Sequence, residues 1–200
     1  MSGICRKIKP KLKLGKENKR NRIALSRKYE NIEKGVLIID KDEAGYGYKH
    51  LLDKQEILKF VEIIPEWEKL SEGLNIVLLA KGSNYSDGWH SKGKIAIRAW
   101  EKDLWREVSN HYFNEHKMIF DKLEVKYETK DEGYILYFTE NKARAFQLLH
   151  IFLHELGHHF DRITTKYKAR SSRGEFFAEQ YAIDFLPKLW SIYIQKFSID

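Results

Sequence analysis

The sequence predicts one α+β domain over residues 35–200, built on a mixed sheet and preceded by a basic tail over residues 1–34. Three observations lead there. Short apolar or alternating runs recur through the first two thirds of the chain, as strands do. An apolar run with helical spacing then fills residues 141–162. A second helix-compatible segment, rich in Phe and Ala, follows from Gly174. Two hundred residues suffice for one domain with a substantial core.

The elements read in order. Val36 to Asp40 is a short strand, and Ala44 to Tyr48, with two glycines, is a loop. Leu51 to Leu70 has helical spacing that Pro65 breaks or kinks. Leu74 to Ala80 is a buried strand. Lys81 to Gly93 holds Gly82, Ser83, Asn84, Asp87 and Gly88 and reads as a loop. Lys94 to Trp100 is a strand, and Asp103 to Leu123 an aromatic-rich helix. Leu123 to Glu128 and Gly133 to Thr139 are strands joined by a turn at Thr129 to Glu132. The order is a sheet, then one helix, then another.

The first of those helices carries His154-Glu155-Leu156-Gly157-His158, an H-E-x-x-H sequence. Residues four apart share a helix face, so both imidazoles can grip one cation. Two neutral imidazoles suit zinc, and the adjacent carboxylate can act as base toward a metal-activated water. At 100° per residue, His150 and Asp161 join the same face, while Ala145, Leu149, Phe152, Leu156 and Phe160 lie opposite. Gly157 is a poor helix former and lets another segment approach closely. The bland alternative is a buried helix whose histidines are merely hydrogen-bonded.

Catalytic zinc sites keep three protein ligands and one open position. The third ligand is expected in Gly174-Glu175-Phe176-Phe177-Ala178-Glu179, where Glu175 and Glu179 share a face of an apolar, buried helix. Glu175 would bind the ion, and Glu179 would accept an imidazole N–H and orient a ring. The rival partners for these carboxylates are Arg170, Arg173 and Lys188. His90, His111 and His116 read as surface or hydrogen-bonded residues rather than ligands. His150 reads as structural, or as a residue that orients a ligand.

H-E-L-G-H followed by E-F-F-A-E resembles the gluzincin branch of the zinc metallopeptidases, and most nearly the catalytic domain of anthrax-toxin lethal-factor-type peptidases. Asp161, three residues past the second histidine, fits that pattern. A weaker resemblance, through Glu175, Ala178, Tyr181, Ala182 and the Leu186-Pro187 end, is to ImmA/IrrE-type peptidases. The resemblance covers residues 148–187, a fifth of the chain. It implies a zincin-like α+β fold and a cytoplasmic zinc endopeptidase with His154, His158 and Glu175 as ligands and Glu155 as general base. The catalytic Tyr of the lethal-factor type stands seven residues before the ligand Glu. Lys168 holds that place here, with Tyr167 one step away as the stand-in that would stabilise the oxyanion. The substrate would lie extended along an edge strand, expected at Lys94 to Arg98.

Composition bounds the rest. Cys5 is the single cysteine, so an internal disulfide is impossible. No apolar stretch reaches the roughly 18–20 residues that span a bilayer, and no secretory h-region is visible, so a cytoplasmic location is the default. Residues 1–34 carry a net +9 against +7 for the whole chain, leaving −2 for residues 35–200. That tail could contact nucleic acid or an acidic surface, or be a solvated extension. The alternative to a protease is therefore a catalytically silent zinc-binding regulatory protein, or a nucleic-acid-associated one that works through its tail.

Overall fold

The computed structural model describes residues 36–165, 173–197 and 199. The basic tail and Tyr167, with Lys168 and Arg170, lie outside the described residues. In chain order the elements are β1 (Ile38–Lys41), β2 (Tyr48–Lys49), α1 (Lys54–Val61), α2 (Trp67–Leu70), β3 (Ile76–Ala80), β4 (Gly88–Ser91), β5 (Lys94–Arg98), β6 (Trp100–Glu101), β7 (Trp105–Ser109) and α3 (Asn110–Lys122). They continue as β8 (Lys126–Lys130), β9 (Gly133–Tyr137), α4 (Glu140–Phe146), a π-helical segment (Gln147–Phe152), α5 (Leu153–Thr164) and α6 (Gly174–Lys196).

The architecture is α+β with a mixed sheet. Its four strands run β1-β3-β5-β4, parallel except for the antiparallel β4–β5 pair. A three-stranded antiparallel sheet, β7-β9-β8, stands beside it. β3 reads Ile-Val-Leu-Leu-Ala and is buried throughout, as a strand covered on both faces must be. Val77, Leu79, Ile95 and Ile97 join the main core with Phe152 and Leu156, while Ile76, Leu78, Trp89 and Ala96 pack on the other face. No helix among the described residues is long and apolar enough to cross a membrane.

Local chemistry explains most boundaries. Asp53 and Glu56 form a reciprocal capping box at the start of α1, with both bonds at 2.9 Å. The helical stretch beyond it stops at Val61 and resumes at Trp67, either side of Pro65. Two segments correct the sequence reading. Trp105 to Ser109 is a strand, not the first turns of a helix: Arg106 and Val108 are buried at alternate positions, and Ser109 caps α3 through the Tyr112 amide at 3.1 Å. Gly88 to Ser91, assigned to a loop, is β4. β4 takes the outer position among the described strands, so Lys94 to Arg98 is an interior strand and not the edge expected for substrate. Glycine and serine give β4 a weak strand signal on their own. Pairing with β5 supplies what propensity does not.

The helix expected at 141–162 is present as a continuous rod from Glu140 to Thr164, with the π segment in its middle. It is more deeply buried than one apolar face requires. His150, Glu155, His158, His159 and Asp161 are all buried too, because the rod runs between the sheet and α6. Gly157 permits that contact. A Cβ there would stand 3.0 Å from both Ala178 Cα and Tyr181 Cβ of α6. Gly157→Ala is expected to add about 1 kcal/mol of helix propensity and to lose more, about 1–3 kcal/mol, to overpacking. A urea midpoint above that of the parent would refute the close approach. α6 continues through Pro187 to Lys196, well past the Leu186-Pro187 end that the sequence implied.

Candidate metal centre

Three side chains from α5 and α6 converge. His154 Nε2 lies 3.3 Å from Glu175 Oε2, and His158 Nε2 lies 3.2 Å from the same oxygen. All three donor atoms stand within 4.8 Å of one another. Zinc bonds of about 2.0–2.1 Å in a tetrahedron place ligand atoms about 3.3–3.4 Å apart. The observed spacings match that edge, and they also lie at the long end of imidazole–carboxylate hydrogen bonds. The donor set therefore fits one divalent cation with a vertex left open. The spacing arises because α5 turns His154 and His158 toward α6 and the first turn of α6 brings Glu175 over them.

The remaining contacts hold those ligands in place. His154 Nδ1 donates to Glu179 Oε2 at 3.1 Å, leaving Nε2 for the ion. Asp161, fully buried, accepts from the Arg173 backbone N–H at 2.9 Å and from Arg173 Nε at 2.8 Å. This ties the start of α6 to α5 just before Glu175. Arg173 also lies over the Phe177 ring, 3.7 Å from its centroid. Asp161 is thus a positioning residue and does not face the cleft with the histidines. Of the rival partners for the two carboxylates, Arg173 is engaged by Asp161. Glu175 differs from expectation in burial: its side chain is 74% exposed, so it needs no cation to offset desolvation. Its fitness rests on geometry, since solvent screens an ion pair this open.

The electrostatics carry the same imprint. Burial opposes a charge on His154, yet its contacts with Glu175 and Glu179 outweigh this and push its pKa up to about 10. Contacts with His154 and His158 hold Glu175 well below the usual carboxylate range. Burial works upward on Glu179, but the His154 hydrogen bond and the neighbouring His150 bring it down to about 2. One imidazole thus lies between two carboxylates, Glu179 at Nδ1 and Glu175 at Nε2.

Glu155 is buried at the side of this cleft. A Cβ on Gly88 would stand 2.8 Å from Glu155 Oε1 and 2.9 Å from Ile151 Cγ2, so the carboxylate rests against the backbone of β4. The cleft, about 130 Å³, is lined by Ser86, Asp87, Gly88, His116, His150, Ile151, His154, Glu155, His158 and Glu175. A water needs only about 10–15 Å³ by this measure, so an ion and several waters fit. Asp87 anchors the start of β4. It accepts from Arg106 Nη1 at 2.8 Å and from the Tyr112 hydroxyl at 2.6 Å, while Arg106 Nη2 donates to Glu101 at 2.5 Å.

Two histidines take places that the sequence reading did not foresee. His116 is hydrogen-bonded, through Nδ1 to the Tyr112 carbonyl, and half-buried. It lines the cleft, and it groups with His150 and Glu179 as a second set of donors within 4.8 Å of one another. Spacing along α3 could not reveal this, because the partners come from two other helices. His111 is exposed beside Glu115, as expected. His90 of β4 stacks on His158 and meets His159 edge-on, and its Nε2 is buried with no hydrogen-bond partner among the described residues. Burial, then the neighbouring His159, Arg162 and His158, lower its pKa from 6.5 to about 2. A histidine whose folded pKa is depressed binds fewer protons than the unfolded chain, so stability falls as pH drops below about 6.5 and keeps falling toward the folded value. Lowering pH from 7 to 5 should therefore cost about 2 kcal/mol through His90. His90→Phe is expected to remove that part of the slope. Parallel pH–stability curves for parent and variant would refute it.

No family model, curated protein or solved structure matches the chain.

Proposed function

We propose that the chain is a zinc-dependent endopeptidase with a zincin-like fold, of the gluzincin type that the lethal-factor resemblance implies. One observation carries this reading: His154 and His158 each stand at a tetrahedral-edge distance from Glu175 Oε2, with the buried carboxylate of Glu155 in the same cleft. His154 and His158 would hold the ion through Nε2, and Glu175 through Oε2. Bound zinc supplies Lewis acidity, polarising a carbonyl and acidifying water toward a pKa of roughly 7. Glu155 takes the proton of the attacking water and passes it to the departing amine. Glu179, through His154 Nδ1, keeps the ring aimed at the ion. β4 offers main-chain groups beside Glu155, so an extended peptide pairs along this outer strand. Tyr167 remains the candidate for oxyanion stabilisation.

The test combines metal analysis with a peptide panel. Purified protein is expected to contain zinc, and to cleave at least one unstructured peptide with activity lost to a chelator and restored by zinc. Bound zinc without cleavage across a broad panel would favour a catalytically silent metal-binding protein. No bound zinc, and none taken up, would end the proposal.

A further inference from the structure

We propose that His116, His150 and Glu179 form a second binding site for a divalent transition-metal cation of the zinc class, next to the first. The three residues come from α3, the π segment and α6, which no sequence spacing relates. Their donor atoms lie within 4.8 Å of one another. His150 Nε2 stands 3.5 Å from Glu179 Oε2. That is long for a charge-assisted hydrogen bond of about 2.7–2.9 Å, so the imidazole and the carboxylate stand side by side without a close bond between them.

Each donor is prepared for an ion. His116 Nδ1 lies 2.7 Å from the Tyr112 carbonyl oxygen, an acceptor. The proton therefore sits on Nδ1, and Nε2 presents a lone pair. A backbone carbonyl behind the ring is the usual support of a metal-ligating imidazole. The rings are fixed: Tyr112 stacks on His116 with centroids 4.1 Å apart, and Phe146 stacks on His150 at 5.2 Å and 14°. Little side-chain entropy is left to lose on binding. Glu179 supplies the independent sign. Its Oε2 is taken by His154 Nδ1, but its Oε1 is buried with no hydrogen-bond partner among the described residues. A buried carboxylate oxygen left in that state costs stability that a cation recovers. The ion has a route in, because His116 and His150 line the same open cleft as the first group. The π turn matters here. It adds a residue to the helical repeat just before α5, and such turns recur at functional sites. His150 is thereby directed toward α3 and α6 while His154 keeps its place over Glu175.

The two sites would share Glu179, which faces His154 with one oxygen and the second group with the carboxylate as a whole. Charge drawn onto a second ion would weaken the support that Glu179 gives His154, so the sites would be coupled. This goes beyond the proposed peptidase activity and needs no turnover to be tested.

The full-length chain, stripped with a chelator, is titrated with Zn²⁺ alone, and bound metal is counted after gel filtration. The parent is expected to hold two equivalents. His116→Gln and His150→Gln should each hold one, and the His154→Ala/His158→Ala double variant should also hold one. One equivalent in the parent, lost in the double variant and kept in His116→Gln, would overturn the second site and leave the proposed function standing. One equivalent lost in His116→Gln and kept in the double variant would support the second site and overturn the first. No binding by the parent would overturn both. Should a variant lose its cooperative melt, the imidazole resonances of the parent decide. Imidazole nitrogen resonances of His116 and His150 should shift on addition of the second equivalent, and unmoved resonances would refute the assignment.

Discussion

Glu155→Gln is expected to bind zinc at the parent stoichiometry while peptide hydrolysis falls by about 10²–10⁴-fold, the usual contribution of a positioned general base. The reasoning starts from packing. The carboxylate is buried against the β4 backbone at Gly88, and Gln has nearly the same shape, so the wall of the cleft survives. Glu155 is not one of the three grouped donors, His154, His158 and Glu175, so the ion keeps its ligands. What the amide cannot do is take up a proton and hold it for the leaving amine. The loss should therefore fall on kcat, with binding of an inhibitory peptide little altered. Unchanged turnover in Glu155→Gln would remove the base from the scheme and return Glu155 to a packing role.

His154→Ala is expected to lose metal and hydrolysis together. Apparent zinc affinities of about 10–16 kcal/mol spread over four ligands give roughly 2.5–4 kcal/mol each, or about 10²–10³-fold in affinity for one ligand removed. His154 should lie at or above that range, because it also holds Glu179. Without the imidazole, Glu179 Oε2 loses its hydrogen-bond donor in a half-buried position. Glu175→Ala offers the contrast. It should cost similar zinc affinity but little stability in the metal-free chain, since its side chain is largely in water. Calorimetric zinc titrations and thermal melts in chelator separate the two effects. Equal zinc affinity in parent and His154→Ala would dissolve the proposed centre.

The chain itself determined a good deal. H-E-x-x-H on an apolar helix and E-F-F-A-E on the next specify which donors share a face, because helical periodicity is a property of local sequence. His154 and His158 share a face of α5, Glu175 and Glu179 share one of α6, and the two faces meet. The strong strands were legible for the same reason: β3 and β9 carry their own apolar runs. What sequence could not decide are features that exist only by pairing between distant segments. β4 is weak alone and becomes a strand against β5, which moves the sheet edge to Gly88. The exposure of Glu175, the turning of Asp161 to Arg173 and the meeting of His116 with His150 and Glu179 all depend on how α3, the rod and α6 cross. Periodicity fixes which side of one element a residue occupies. Only close packing of whole elements, where shape and volume must fill space together, fixes what that side faces.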